Sequence, residues 1–270
     1  MTEQKLEKEV LVEEQAAEEI PAAVEEVKEE AAEKAGQQAE KKEESIKGII
    51  KSEKGRETTW IPKTQLGKDI VSGKYTDIMQ VLDSGRLILE PEITDYLVPN
   101  LKQEIVYIGG SPGKGGGIKR TATRITARMH KSGRRYNSSS LVVVGNENGV
   151  IGIGKASSKE HRQAIEKSVA QAKLNIVKVK RGCGSWECFC GTSHSLPFRV
   201  SAKYGSVTVT LNPGPKGIGI VASEEARKML KLAGIKDVWV SSEGQTATRI
   251  NLAFAIFNAL KNLSRVKGDI

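Results

Sequence analysis

The sequence predicts an α+β protein built as two small sheet-and-helix units in tandem. Three observations predict it. A β-branched run at 141–144 (LVVV) is followed by a turn at 146–149 (NENG), a strand at 150–153 and a helix-compatible stretch at about 159–174. A second stretch alternates on both sides of Tyr204–Gly205, a hairpin signal, ahead of helical patterns at about 223–233 and 246–262. Between the two, residues 182–196 carry Gly, Ser and Cys without periodicity, as a linker does.

The elements follow in order. Residues 1–57 are an acidic tail, disordered or partly helical: its first 50 residues hold 15 acidic and 7 basic side chains, with too few apolar residues for a lasting heptad seam. Residues 58–117 are a helical extension ending in a Gly-rich loop. Short apolar pieces, broken by Gly67, Gly73, Gly85, Pro91 and Pro99, predict two or three helices wrapped on a neighbour, and 109–117 (GGSPGKGGG) is expected to be flexible.

The first domain spans 118–181. Weak alternation at 124–129 is a strand, 131–135 (KSGRR) a basic turn, and 141–144 and 150–153 two more strands. Ser158 is the expected cap of the helix, with Glu160 near its start, where the helix dipole favours a carboxylate. Three antiparallel strands and one covering helix form a small α+β layer pair. The second domain spans 197–263. Its strands lie at 198–203, 206–211 and 238–240, and 212–220 (NPGPKGIGI) turns into its first helix. Residues 264–270 form a tail.

The charge is asymmetric. Beyond residue 50 the chain carries 35 basic and 18 acidic side chains, a surplus of 17 positive charges. That points to a polyanionic partner, although a merely soluble basic surface has the same composition. No long apolar run and no signal-peptide start are found, so a cytoplasmic chain without a membrane partner is expected. Lys131, Arg134 and Arg135 around Ser132 and Gly133 form one basic cluster, and Lys178, Lys180 and Arg181 form a second. Such clusters bind phosphates with little base specificity.

Catalytic motifs fall short. Residues 149–156 (GVIGIGKA) fit a phosphate loop up to Ala156, where a hydroxyl is needed, and the segment reads as a strand whose glycines admit close backbone. The 212–220 turn, with Lys216, offers backbone N–H groups to an anion, or is a plain turn. Cys183, Cys188, Cys190 and His194 supply four zinc-type ligands at a spacing unlike a standard ribbon; the alternative is reduced thiols beside a surface histidine. A metal there would brace the linker. A Cys/His nucleophile lacks an orienting third group, so no catalytic residue is assigned. No cofactor is required, and zinc is the one candidate.

The stretch LVVVGNENGVIGIGKASSKEHRQAIEKSVAQAKLNIVKVKRG, followed by SHSLPFRVSAKYGSVTVTLNPGPKGIGIV, closely resembles the small-subunit ribosomal protein S5 family. The 183–188 loop (CGSWEC), 60–67 (WIPKTQLG), 87–93 (LILEPEI) and 233–239 (AGIKDVW) resemble its archaeal branch, while Lys155-Ala-Ser-Ser is closer to the eukaryotic pattern. The resemblance covers about 58–263. It implies a non-enzymatic constituent of the small subunit that binds rRNA near the decoding region and the path by which mRNA enters. It also implies proteins S4 and S8 as neighbours and a role in decoding accuracy. It implies a double-stranded-RNA-binding-like first domain and an S5 second-domain-like α/β sandwich. The loop between the first two strands touches RNA in that family, which maps onto Lys131, Ser132, Gly133, Arg134 and Arg135. Lys155, Lys178, Lys180, Arg181 and Lys216 complete the expected RNA-binding set. The family's usual basic and aromatic continuation is replaced by Tyr136-Asn-Ser-Ser-Ser140, and the family's eukaryotic branch lacks the cysteines, so the fold does not require a metal.

Overall fold

The computed structural model describes residues 60–265, apart from 61, 114, 116 and 189. The acidic tail expected over 1–57 and residues 266–270 of the terminal tail lie outside the described residues. The described chain is α+β.

Three short helices come first: α1 (Gln65–Val71), α2 (Ile78–Asp83) and α3 (Pro91–Leu97). Thr64 caps α1, its hydroxyl accepting the Gly67 N–H at 3.1 Å, and Pro91 opens α3, where a missing N–H costs nothing. These helices bury Leu66, Ile70, Val81 and Ile93. Ile78 and Val98 pack with Val150 and Ile176 of the following unit, and the Thr94 hydroxyl donates to the Lys173 carbonyl at 2.9 Å.

Strand β1 (Lys102–Ile105) follows, then a small hairpin of β2 (Gly109–Pro112) and β3 (Ile118–Thr121). The 109–117 segment is therefore not wholly a loop: its first four residues pair with β3 because the chain must double back to reach β4 (Thr123–His130). Strand β5 (Gly133–Gly145) is the spine of the first sheet. One end pairs with β1 and the other with β4, and its far edge pairs with β6 (Val150–Ser158), which pairs with β7 (Ile176–Lys178). Sequence periodicity missed β1 and β7, which are too short to show a period.

Helix α4 (His161–Leu174) lies on this sheet. Its N-cap is Glu160, not Ser158: strand β6 runs on through Ser158, whose hydroxyl donates to Gln163. The glycines of the near phosphate loop explain the contact. A Cβ on Gly154 would fall 2.2 Å from the Ser168 carbonyl oxygen, and one on Gly152 would fall 2.3 Å from that of Ala172. The segment is a strand against which a helix backbone is pressed.

The second half holds β8 (Val200–Tyr204), β9 (Val207–Pro213), β10 (Ile220–Val221), α5 (Glu224–Leu232), β11 (Val238–Gly244) and α6 (Arg249–Leu263), with sheet order β10-β11-β9-β8. The short β10 was not visible in the sequence. It pairs parallel with β11, and the other pairs are antiparallel. The Tyr204 and Phe254 rings stack with centroids 5.0 Å apart, fixing α6 over the sheet.

The two halves share one core. Leu141 and Val143 face a cluster that includes Leu211, Met229, Leu232 and Ile235, while Val142 and Val144 pack with Ala172 of α4. A strand buried on both faces shows no alternation, which is why 141–144 is apolar throughout. Each such buried side chain contributes about 1.5–3 kcal/mol. The 146–149 turn joins the halves again: Glu147 and Gly149 donate their N–H groups to the carbonyls of Leu232 and Ala233 at 2.9 and 3.1 Å.

Candidate functional site

Strands β4 and β5 continue beyond the sheet as a two-stranded arm. All fourteen residues from 124 to 137 are exposed. Lys131 and Ser132 form the turn, and His130 faces Gly133, whose φ of 111° favours glycine. The expected cluster of Lys131, Ser132, Gly133, Arg134 and Arg135 is thus brought together at one tip. The base of the arm is pinned by His161 of α4, whose Nδ1 lies 2.7 Å from the Thr123 hydroxyl and 2.8 Å from that of Ser138.

Register sorts the arm into two faces. Arg124, Arg128 and His130 lie on one face with Arg135; Ile125, Ala127 and Met129 lie on the other with Arg134 and Tyr136. Arg128 and Arg135 are direct partners. Beside the arm, Arg128, His130, Arg135, Tyr136 and Lys159 line one groove. Sequence reasoning missed Arg124, Arg128 and Lys159. The i, i+2 spacing of Arg124, Thr126, Arg128 and His130 was the available signal.

The other expected residues lie apart from the tip. Lys155 is exposed on β6, opposite Leu141. Lys178 is ion-paired with Asp83 at 2.9 Å. Arg181 donates to Asn148 Oδ1 at 2.6 Å and to the Gly234 carbonyl at 3.4 Å, which ties the halves together. Lys180 is half-buried and Lys216 is exposed. Lys178 and Arg181 therefore serve as internal braces.

The 212–220 turn does hold an anion, but that anion is the protein's own. Gly217 and Gly219 donate their N–H groups to Asp237 Oδ1 at 3.1 and 2.9 Å. Strand β10 separates this turn from α5, whose first turn already carries Glu224 and Glu225. Of the two readings the sequence left open, anion site or plain turn, the Gly217 and Gly219 amides fit a turn closed by the protein's own carboxylate.

Cys183, Cys188, Cys190 and His194 converge, with one ligand atom from each lying within 4.8 Å of all the others. The Cys190 and Cys183 sulfurs are 3.5 Å apart, and Cys188 Sγ is 3.6 Å from His194 Nε2. A tetrahedral zinc with its usual sulfur and nitrogen bonds spaces ligands about 3.5–3.8 Å apart. The surface histidine considered from the sequence is instead 6% exposed, and its Nδ1 lies 2.7 Å from Asp237 Oδ2. That leaves Nε2 to face the sulfurs, the orientation a carboxylate partner gives a metal-bound imidazole.

In the metal-free cluster two of the thiols are lowered toward thiolate, while the third thiol and the imidazole are raised toward their protonated forms, whose protons a metal would have to displace. Hydrogen bonds from the Thr192 hydroxyl and backbone bring Cys190 down to about 6, and N–H donation from Lys216 and Cys190 lowers Cys188. Burial pushes the Cys183 thiol up. Burial opposes the charged form of His194, but its bonds to Cys188 and Asp237 win and raise it. Asp237, also opposed by burial, is lowered by the Gly219 N–H and by His194. Among the described residues no helix is long and apolar enough to cross a membrane.

Comparison with known proteins matches two stretches of the chain. Residues 119–180 match the model of the ribosomal protein S5 N-terminal domain, and 202–270 match that of the ribosomal protein S5 C-terminal domain. The chain is 47% identical over 205 residues to small ribosomal subunit protein uS5 of Methanocaldococcus jannaschii, covering 76% of this chain and 88% of that protein. It is 46% identical over 210 residues to uS5 of Methanobrevibacter smithii (78% and 92% covered) and 47% over 203 residues to that of Pyrobaculum calidifontis (75% and 93%).

Proposed function

The chain belongs to the ribosomal protein S5 family, and on that premise we propose that it docks on small-subunit rRNA through the exposed arm of β4 and β5. It is a structural, non-enzymatic and rRNA-binding constituent of the small ribosomal subunit, and it works in the cytoplasm. The observation that carries the docking proposal is the arm itself: fourteen exposed residues bearing Arg124, Arg128, Lys131, Arg134 and Arg135.

Arginine and lysine neutralise phosphates and release counterions, so affinity falls steeply with salt. An RNA helix is met through phosphates and 2′-hydroxyls more than base edges. Lys155 and Lys216, both exposed, extend the contact, whereas Lys178 and Arg181, paired with Asp83 and Asn148, support it from within. The fuller proposal makes the first sheet and α4 a double-stranded-RNA-binding-like unit over 118–181 and the 197–263 unit an S5 second-domain-like sandwich. It sets the arm near the decoding region and the path by which mRNA enters, with S4 and S8 as neighbours, so that the arm supports decoding accuracy. The family resemblance and the exposed basic side chains of the arm support this reading.

The sulfur and nitrogen spacing of the cysteine cluster supports a second element: Cys183, Cys188, Cys190 and His194 hold one structural zinc ion. Native mass spectrometry tests it, one zinc per chain being expected and three free thiols on an apo mass contradicting it.

Sedimentation tests the main proposal. The chain carrying Arg134→Glu and Arg135→Glu is expected to leave the small-subunit fraction under a moderate salt wash that retains the unmodified chain, or to raise misreading. Normal retention with normal misreading would remove the arm from the mechanism.

A further inference from the structure

Two neighbouring features share a set of hydrogen bonds. One is the cysteine cluster; the other is the segment 214–219, which lies between β9 and β10 and displays Lys216 and Ile218 to solvent. Asp237 stands between them. One carboxylate oxygen meets His194 Nδ1 at 2.7 Å, and the other accepts the Gly217 and Gly219 N–H groups at 3.1 and 2.9 Å. The Lys216 N–H donates to the Cys188 sulfur. Ser195, next to His194, closes the frame: its hydroxyl accepts the Gly214 N–H at 3.1 Å and donates to the Asp237 carbonyl at 2.5 Å. The His194 carbonyl accepts the N–H groups of Lys236 and Asp237 at 2.9 and 3.2 Å.

Beyond these bonds, segment 214–219 is held by the Ile218 N–H on the Pro215 carbonyl at 3.4 Å and by the Val238 N–H on the Gly219 carbonyl at 3.1 Å. Gly217 and Gly219 have φ of 96° and 75°, and a Cβ on either would meet open space. Their backbone is set by hydrogen bonds rather than by packing. Both anchors belong to the metal cluster or touch it. A metal-bound cysteine sulfur keeps its negative charge and accepts an N–H bond better than a thiol does. A metal on His194 Nε2 fixes the ring, and with it the Nδ1 bond that orients the Asp237 carboxylate.

We propose that the metal centre shapes the 214–219 segment, with Asp237 as the positioning residue that joins His194 to the Gly217 and Gly219 amides and Cys188 holding the Lys216 amide. This rests on the zinc reading above. It makes the cluster more than a brace for the linker: metal occupancy sets how Lys216 is presented to an RNA phosphate. Because both anchors reach backbone N–H groups, the side chains at 216 and 218 can vary without breaking the link, whereas 217 and 219 need the positive φ that glycine adopts.

The test combines metal content with residue-resolved amide exchange on the full-length chain. With zinc bound, the amides of Lys216, Gly217 and Gly219 are expected to exchange slowly. Chelation should speed them tenfold or more while the Val209 and Val143 amides stay protected. Asp237→Asn, loaded with zinc, provides an arm that needs no chelation: one amide oxygen cannot serve His194 and the glycines as a carboxylate does. Exchange at Gly217 and Gly219 should rise, Lys216 should stay slow, and zinc affinity should fall about 10–100-fold. A stoichiometric zinc ion with exchange at 216–219 unchanged by both chelation and Asp237→Asn would overturn this inference and leave the zinc reading standing. A chain that takes up no zinc would overturn both.

Discussion

Arg128 and Arg135 face each other directly across β4 and β5, on an arm with no buried residue between 124 and 137. Like charges directly opposite weaken a strand pair. Arg135 also donates to the Ser132 hydroxyl at 3.1 Å, which holds the guanidinium toward the turn. Such a pair is costly in the free chain and favourable once a phosphate lies between or beside the two guanidinium groups.

Arg135→Glu therefore separates folding from binding. The free protein is expected to keep its stability or gain about 0.2–1 kcal/mol, since the cross-strand pair becomes opposite in sign. Its affinity for rRNA is expected to drop, and the salt slope to shrink by about 1 for each phosphate no longer neutralised. Urea denaturation and salt-titrated filter binding check both. A large loss of stability would assign Arg135 a structural role.

Gly154→Ala tests the strand reading of the near phosphate loop. The added methyl would meet Ser168 and Ala172 backbone atoms at 2.2 and 2.3 Å, which only a shift of α4 relieves. Overpacking of this kind costs about 1–3 kcal/mol or more. A loss of that size in urea denaturation is expected, whereas an unchanged midpoint would mean that α4 does not lie against β6.

Cysteine reactivity offers a pH test. In the metal-free chain Cys190, held at about 6 by the Thr192 hydroxyl and backbone, is a thiolate at neutral pH. Its alkylation rate is expected to climb between about pH 5 and 7, because the thiolate is the nucleophile. Cys183, pushed up by burial, is expected to react only in alkaline solution. Peptide mass spectrometry after timed alkylation checks the order, and zinc is expected to protect all three thiols.

Asp69 gives an acid-side prediction. Hydrogen bonds from Lys74 and then Arg86, at 2.8 and 3.0 Å, hold its carboxyl below the usual carboxylate range. A depressed carboxylate stabilises the fold above its ordinary range, and that contribution is lost as pH falls through the lowered value. The Ile70 methyl signals are expected to shift at that lowered pH in the unmodified chain. In Asp69→Asn the shift should be absent and the signals should resemble the acid form at every pH.

Much of this was legible in the sequence. The NENG turn, the Tyr204–Gly205 hairpin and the helices begun near 161, 224 and 249 follow from turn chemistry and period, and KSGRR marked the arm's tip. Strands β1, β7 and β10 were not legible, because two to four residues carry no period and their pairing is set by distant partners. The common core was encoded in the unbroken 141–144 run, although a run buried on both faces cannot say what covers each. Asp237 was invisible as a partner of His194, because 43 residues separate them and only the fold brings β11 to the linker. The 212–220 turn suggested a free anion site for the same reason, its carboxylate being supplied from far along the chain.

Crosslinking of intact small subunits from the source cells, with mass spectrometry of the peptides that carry nucleotide adducts, tests the docking of the arm most directly. Adducts on peptides spanning Arg124 to Tyr136, removed when Arg128, Arg134 and Arg135 are all changed to Glu, are the expected result. Adducts elsewhere on the chain with none on that arm would contradict it.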